Sequence, residues 1–90
     1  MSTVRIPPVL RASAGGEKQV EVDGGTLGEV LEGLVARFPA LRPNLLGDDG
    51  ELNRFVNVYV DGQDVRYLEE LRTSVAPSDT VIILPAMAGG

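Results

Sequence analysis

Apolar residues recur at every second position over several stretches of the chain and at every third or fourth over one. From Thr3 to Leu10 they fall at Val4, Ile6 and Leu10, which predicts a strand with an even-numbered inner face. Pro7 and Pro8 remove two backbone donors and should make its far end irregular. "SAGGEK" then reads as a hairpin turn and "KQVEVD" as the second arm, with Val20 and Val22 inward. After "DGG", Thr26 and Glu29 form a Thr-x-x-Glu capping box, and Leu27, Val30, Leu31, Leu34, Val35 and Phe38 make one continuous helical stripe. Pro39 should stop that helix near Arg37 or Phe38, because the residue before proline is pushed out of the α region.

"ALRPNLLGDDGELN" predicts a long connection with one irregular helical turn around Asn44 to Leu46. "FVNVYVDGQDV" predicts a third strand, with Val56, Val58 and Val60 on one face, Phe55, Asn57 and Tyr59 on the other, and a turn at Asp61-Gly62. A short return follows at Asp64 to Arg66, then a connection with a helical turn near Leu68 to Leu71. "TVIILP" is the last strand, apolar on both faces as a central strand must be. A hairpin and helix followed by further strands bury one sheet face under one helical stripe, an α+β layering. The expectation is a single domain over residues 1–84, a mixed four- to five-stranded sheet on one main helix with the last strand beside the first, and a tail over 85–90.

Ninety residues suit one modest core. Aromatics are few, so Val, Leu and Ile must build it. The formal net charge is −5, Lys18 is the only lysine, and the arginines from Arg5 to Arg72 form no run. Nucleic-acid binding draws on clustered cations, so neither nucleic acid nor anionic lipid is the expected partner. No stretch approaches the apolar length of a membrane span, and "MSTVRIPPVL" has no signal-peptide core, which together predict a cytoplasmic protein, monomeric on its own.

The sequence contains no cysteine and no histidine, so thiol nucleophiles, Cys/His zinc sites and imidazole acid–base chemistry are excluded. Asp48, Asp49 and Glu51, like Glu69 and Glu70, read as solvated charge or helix-end chemistry and not as metal ligands. "DGGTLGEV" lacks the Lys-Ser/Thr of a phosphate-binding loop, and its glycines belong to the turn before a capped helix. No side-chain catalytic site and no metal site are expected.

Gly15-Gly16 and Gly24-Gly25 are explained as turns, but Gly89-Gly90 follow the last predicted strand and close no turn. Two readings of Pro85 to Gly90 stand. One is a solvated tail of no consequence. The other is a slender, uncharged extension, at most ~20 Å long at ~3.3 Å per residue, that enters a narrow channel on another protein and offers its backbone carbonyl there.

"RFVNVYVDGQDVR" followed by "TVIILPAMAGG" resembles the ubiquitin-like sulfur-carrier family (ThiS/MoaD type), through essentially the whole chain and nearest to its cysteine-biosynthetic members in length and in "NRFVNVYV". Met87 stands where related tails often carry valine. The resemblance implies a β-grasp fold and a protein cosubstrate that is not itself an enzyme. It implies that an E1-like enzyme, using ATP and magnesium that this chain does not itself bind, adenylates the Gly90 carboxylate, and that a sulfur source converts it to a thiocarboxylate. Pro85, Ala86, Met87, Ala88 and Gly89 would then be the tail that partners recognise. The implied partners are that activating enzyme, a sulfur-accepting synthase and a metalloprotease that releases product.

The outer sheet face carries a second expectation: Phe55, Tyr59, Ile82 and Leu84 form an exposed docking patch, unless the loop from Ala40 to Asn53 covers it. Two rivals remain. A protein modifier would join Gly90 to a lysine, and a docking-only subunit would use the sheet face without terminal chemistry.

Overall fold

The computed structural model describes residues 1–85. Its elements are β1 (Ser2–Arg5), β2 (Gln19–Val22), α1 (Leu27–Arg37), α2 (Arg42–Leu45), β3 (Val56–Val60), β4 (Gln63–Asp64) and β5 (Thr80–Pro85), with short 3-10 turns between them. The strands form one sheet in the order β2-β1-β5-β3-β4. β5 is parallel to β1 and antiparallel to β3.

α1 begins where its sequence dictates. The Thr26 hydroxyl accepts from the Glu29 N–H at 3.2 Å, and the Glu29 carboxylate reaches back to the N–H of Gly25, one residue before the cap, at 2.7 Å. Leu27, Val30, Leu31, Leu34 and Val35 are buried in one cluster with Val4, Val20, Val22, Val58, Val81 and Ile83 from the sheet. Gly33 lets the helix lie close on β2, since a Cβ there would stand 2.9 Å from Val22 Cγ1. Phe38 ends the stripe half-buried at the C-cap, with Pro39 next.

Three connections differ from the pattern reading. The first strand ends at Arg5, and Pro8–Ala14 winds into a 3-10 helix that buries Leu10 and Ala14. Proline suits a first turn, where its missing N–H has no partner to lose. Only at Gly15 and Gly16, both at positive φ, does the chain turn back. Between α1 and β3, the helical turn expected around Asn44 is present as α2 but begins at Arg42 and is preceded by a 3-10 turn over Pro39–Leu41, while Leu41, Leu45, Leu46 and Leu52 join the core. After β4, two 3-10 turns, Val65–Tyr67 and Glu70–Arg72, flank Leu68 in place of one turn over Leu68 to Leu71. Thr73 and Val75 then pair with the helix entrance, through Leu27 N–H to Thr73 O at 2.9 Å and Val75 N–H to Gly25 O at 3.0 Å.

The sheet runs one residue past the expected boundary at 84, because Pro85 stands opposite Val56. The Asp61 N–H donates to Thr80 O at 3.0 Å, so alternate residues Thr80, Ile82 and Leu84 direct their main-chain groups to β3. The nitrogen of Pro85 therefore faces the β1 side, where β1 has already stopped, and its missing proton costs no ladder bond.

The Asp61-Gly62 turn takes positive φ at both residues, 49° and 85°, the geometry of a tight hairpin. Its carboxylate accepts the Thr80 N–H at 2.9 Å, which fastens the turn to the start of β5. That bond holds the Asp61 carboxyl below the usual carboxylate range.

Thr26→Ala should cost about 1 kcal/mol in urea unfolding with an unchanged denaturant slope. A folded-state pKa below the unfolded one gives a contribution present above the ordinary carboxylate pKa and lost as pH falls through the folded value. Asp61→Asn should therefore melt below wild type at neutral pH, and the gap should close on acidification below the carboxylate range.

Candidate functional site

On the face of the sheet away from α1, the register builds a row of side chains. Arg5 stands opposite Gln19 on one side and Ile82 on the other, Ile82 stands opposite Tyr59, and Tyr59 opposite Asp64. Leu84 lies one step along, opposite Asn57. The inward partners Val56, Val58, Val60, Val81 and Ile83 are all buried. An alternating strand packed on one face must turn its odd positions in β3 and its even positions in β5 outward. The row is amphiphilic: apolar at Ile82 and Tyr59, cationic at Arg5, anionic at Asp64.

Leu84 is 45% exposed, a large apolar side chain left open beside the end of β5. Ile82 and Tyr59 are half-buried by their cross-strand neighbours. The buried leucines of the 40–53 connection belong to the core cluster. Ile82 and Leu84 line a common groove with Arg5, Pro7, Pro8 and Arg11.

Phe55 is placed differently. It is 63% exposed, but it sits in the turn before β3 and lines a separate cleft with Asp48, Asp49, Leu52 and Arg54. The reason is local. Asn53 Oδ1 accepts the Phe55 N–H at 2.8 Å, so the backbone turns there and cannot yet extend. The Arg54 guanidinium lies over the ring at 5.9 Å.

Arg66 and Asn53 are the positioning residues that pattern reading missed. The Arg66 guanidinium donates to Val56 O at 2.8 Å and to Asn53 O at 3.0 Å, and the Asn53 amide donates to Pro43 O at 3.0 Å. This fork clamps the entry of β3 to the preceding loop. Neither residue lies in a periodic run; the only trace in the sequence is an arginine just after the short return strand. Asp49 accepts the Glu51 N–H at 3.0 Å, a local turn bond.

Ala86, Met87, Ala88, Gly89 and Gly90, on which sulfur attachment and most of the tail recognition are expected, lie outside the described residues. Pro85 lies inside them, as the end of β5. Among the described residues no helix is long and apolar enough to cross a membrane.

A mixed five-stranded sheet with its last strand central, parallel to the first and backed by one main helix, is the ubiquitin-like β-grasp domain. The chain belongs to the ThiS family of sulfur carriers, whose family model matches residues 4–90. The sulfur carrier protein CysO of Mycobacterium tuberculosis is 46% identical over 90 residues, 98% of this chain and 97% of its own. The crystal structure of the Amycolatopsis orientalis BexX/CysO complex matches with a TM-score of 0.92 at 42% identity, covering 100% of both chains. Small archaeal modifier protein 1 of Haloferax volcanii is 37% identical over 73 residues, 80% of this chain and 79% of its own.

Leu84→Glu should leave stability within about 0.5 kcal/mol of wild type, as for an exposed position, while weakening association with a partner that uses this face. Melting curves and a binding isotherm on the same preparation check both halves. A collapse of folding before any loss of binding would place Leu84 in the core instead.

Proposed function

We propose that the chain carries sulfur as a thiocarboxylate at the carboxyl carbon of Gly90. The observation that supports this most strongly is membership of the ThiS family along residues 4–90, a match that takes in the Gly89-Gly90 pair. The chemistry is self-consistent. An α-carboxylate with a pKa of about 3.3–3.7 is ionised at neutral pH and is a poor acyl electrophile. Attack of its oxygen on the α-phosphorus of ATP, in an E1-like enzyme using magnesium, expels pyrophosphate and leaves an acyl adenylate. A sulfide-level sulfur nucleophile then adds at the acyl carbon and displaces AMP. The product is an anionic, soft nucleophile mounted on main-chain atoms.

The scaffold's part is presentation. β5 is held on both sides, and its last residue, Pro85, is still in register with β3. The residues that follow therefore start from a fixed point, and Ala86 to Gly89 add no charge and little bulk. Glycine at 89 and 90 lets a catalyst approach the carbonyl without meeting a Cβ. The acceptor would be a synthase that makes cysteine or another sulfur-containing metabolite.

A second reading follows from the similarity to small archaeal modifier protein 1, in which Gly90 would be joined to a lysine of another protein. The same activated acyl group serves both, and only the attacking nucleophile differs.

Intact mass of protein from its native cells should show a fraction heavier by about 16 Da, and fragmentation of the C-terminal peptide must place that mass on Gly90, because methionine oxidation adds the same increment. Removing Gly90 should abolish the modification and leave the melting temperature unchanged. Native protein that continues beyond Gly90, or that is never modified there, overturns the reading; high-mass conjugates on a blot would favour the second one.

A further inference from the structure

β1 and β5 run side by side only as far as Arg5 and Ile82. The Thr3 N–H donates to Asp79 O at 3.3 Å, so Thr3 and Arg5 are the residues of β1 whose main-chain groups face β5. The next donor in that ladder would come from residue 7, which is proline and has none. The ladder stops, the chain veers into the Pro8–Ala14 helix, and a groove of about 150 Å³ opens between Pro7, Pro8 and Arg11 on one flank and Ile82 to Leu84 on the other, with Arg5 also lining it.

The charged residues of this groove are both cationic, in a chain of net charge −5. Arg11 is held along the wall by its Nε, which donates to Ile6 O at 3.1 Å. Among the described residues neither Arg5 nor Arg11 has a carboxylate within 4.0 Å, since the ion pairs there join Met1 to Asp23 and Arg42 to Glu32. The acidic residue on the neighbouring strand, Glu21, already accepts the Thr3 hydroxyl at 2.6 Å, and Arg5 itself faces the neutral Gln19. The apolar floor, Ile82 and Leu84, is continuous with the outward row. Two uncompensated guanidinium groups over an apolar floor fit a segment that alternates carboxylates with aliphatic side chains.

We propose that this groove receives an extended acidic segment of the activating enzyme, with carboxylates on Arg5 and Arg11 and aliphatic side chains on Ile82 and Leu84. The identity of the partner rests on the proposed function; the charge and shape of its segment rest on the groove. A contact here sits beside Leu84, one residue from the end of β5, and so orients β5 relative to the enzyme.

The test is association of the full chain with the E1-like adenylating enzyme encoded in the same genome, measured across a salt series. Arg5→Glu should weaken binding about tenfold at low salt, with most of the loss removed at high salt, while Lys18→Glu, the same charge change outside the groove, should have little effect. In thiocarboxylation assays Arg5→Glu should raise KM and leave kcat unchanged. Arg11→Gln should act in the same direction; if it fails to fold, Arg5→Glu decides alone. Equal effects of Arg5→Glu and Lys18→Glu, or no binding by wild type, overturn the groove. Wild type that binds with this charge pattern yet acquires no sulfur overturns the proposed function and leaves the groove standing.

Discussion

Everything in the described structure hangs on β5 lying between β1 and β3. It is buried on its inner face through Val81 and Ile83, paired on both flanks, and tied at its start by the two hydrogen bonds between Asp61 and Thr80. Pairing β1 with β5 brings the two ends of the described chain together across the middle of the sheet. The closure entropy of so long a loop must be offset before the contact returns anything. That favours a core of β-branched and aliphatic side chains that gains its free energy together: Val4 and Val81 meet in register, and Leu31 and Leu34 lie buried in the same cluster above them.

The same placement explains what was legible in the sequence. Strand and helix periods depend on burial, and burial here is one-sided, so alternation marks β2 and β3 and the 3.6-residue stripe marks α1; β5 is apolar on both faces although its outer face is only part-covered. The capping residues speak locally as well, and Thr26 does what its type predicts. The short 3-10 turns Pro39–Leu41, Val65–Tyr67 and Glu70–Arg72 were not legible because a three-residue turn leaves no period behind. Pro8–Ala14 inserts Leu10 and Ala14 into the core at a spacing that an even-numbered strand mimics as far as Leu10. Phe55 misleads for a related reason: strand parity carries it outward, but Asn53 bends the backbone first. Arg66 could not be found by pattern at all, since its role is to satisfy two carbonyls brought near by folding.

The outer face mixes polar and apolar positions. A sheet with only one covered face exposes whatever its outward positions carry, and most of those here are polar: Thr3, Arg5, Gln19, Glu21, Asn57. The apolar exceptions, Tyr59, Ile82 and Leu84, cluster on the two strands nearest the end of β5. Pairing half-buries Tyr59 and Ile82, which leaves Leu84 as the exposed apolar contact in that cluster. A patch that small is tolerable in a free monomer and still large enough to anchor a partner when polar groups around it fix the orientation.

A basic groove beside the end of β5, in a chain of net charge −5, has a consequence for how association would proceed. The overall field of a −5 chain repels an acidic partner surface at a distance, and the Arg5 and Arg11 groove opposes that sign locally. Productive encounters are then those in which the groove, and with it the end of β5, leads. Specificity would then arise from orientation more than from strength, which under the proposed function suits a carrier that passes from an activating enzyme to an acceptor. The lack of cysteine and histidine in the chain belongs to the same logic: a thioacid held on Gly90 would meet no thiol or imidazole of its own carrier that could capture it in transit. Under the proposed function, reactivity is confined to main-chain atoms and selectivity to the strand that presents them.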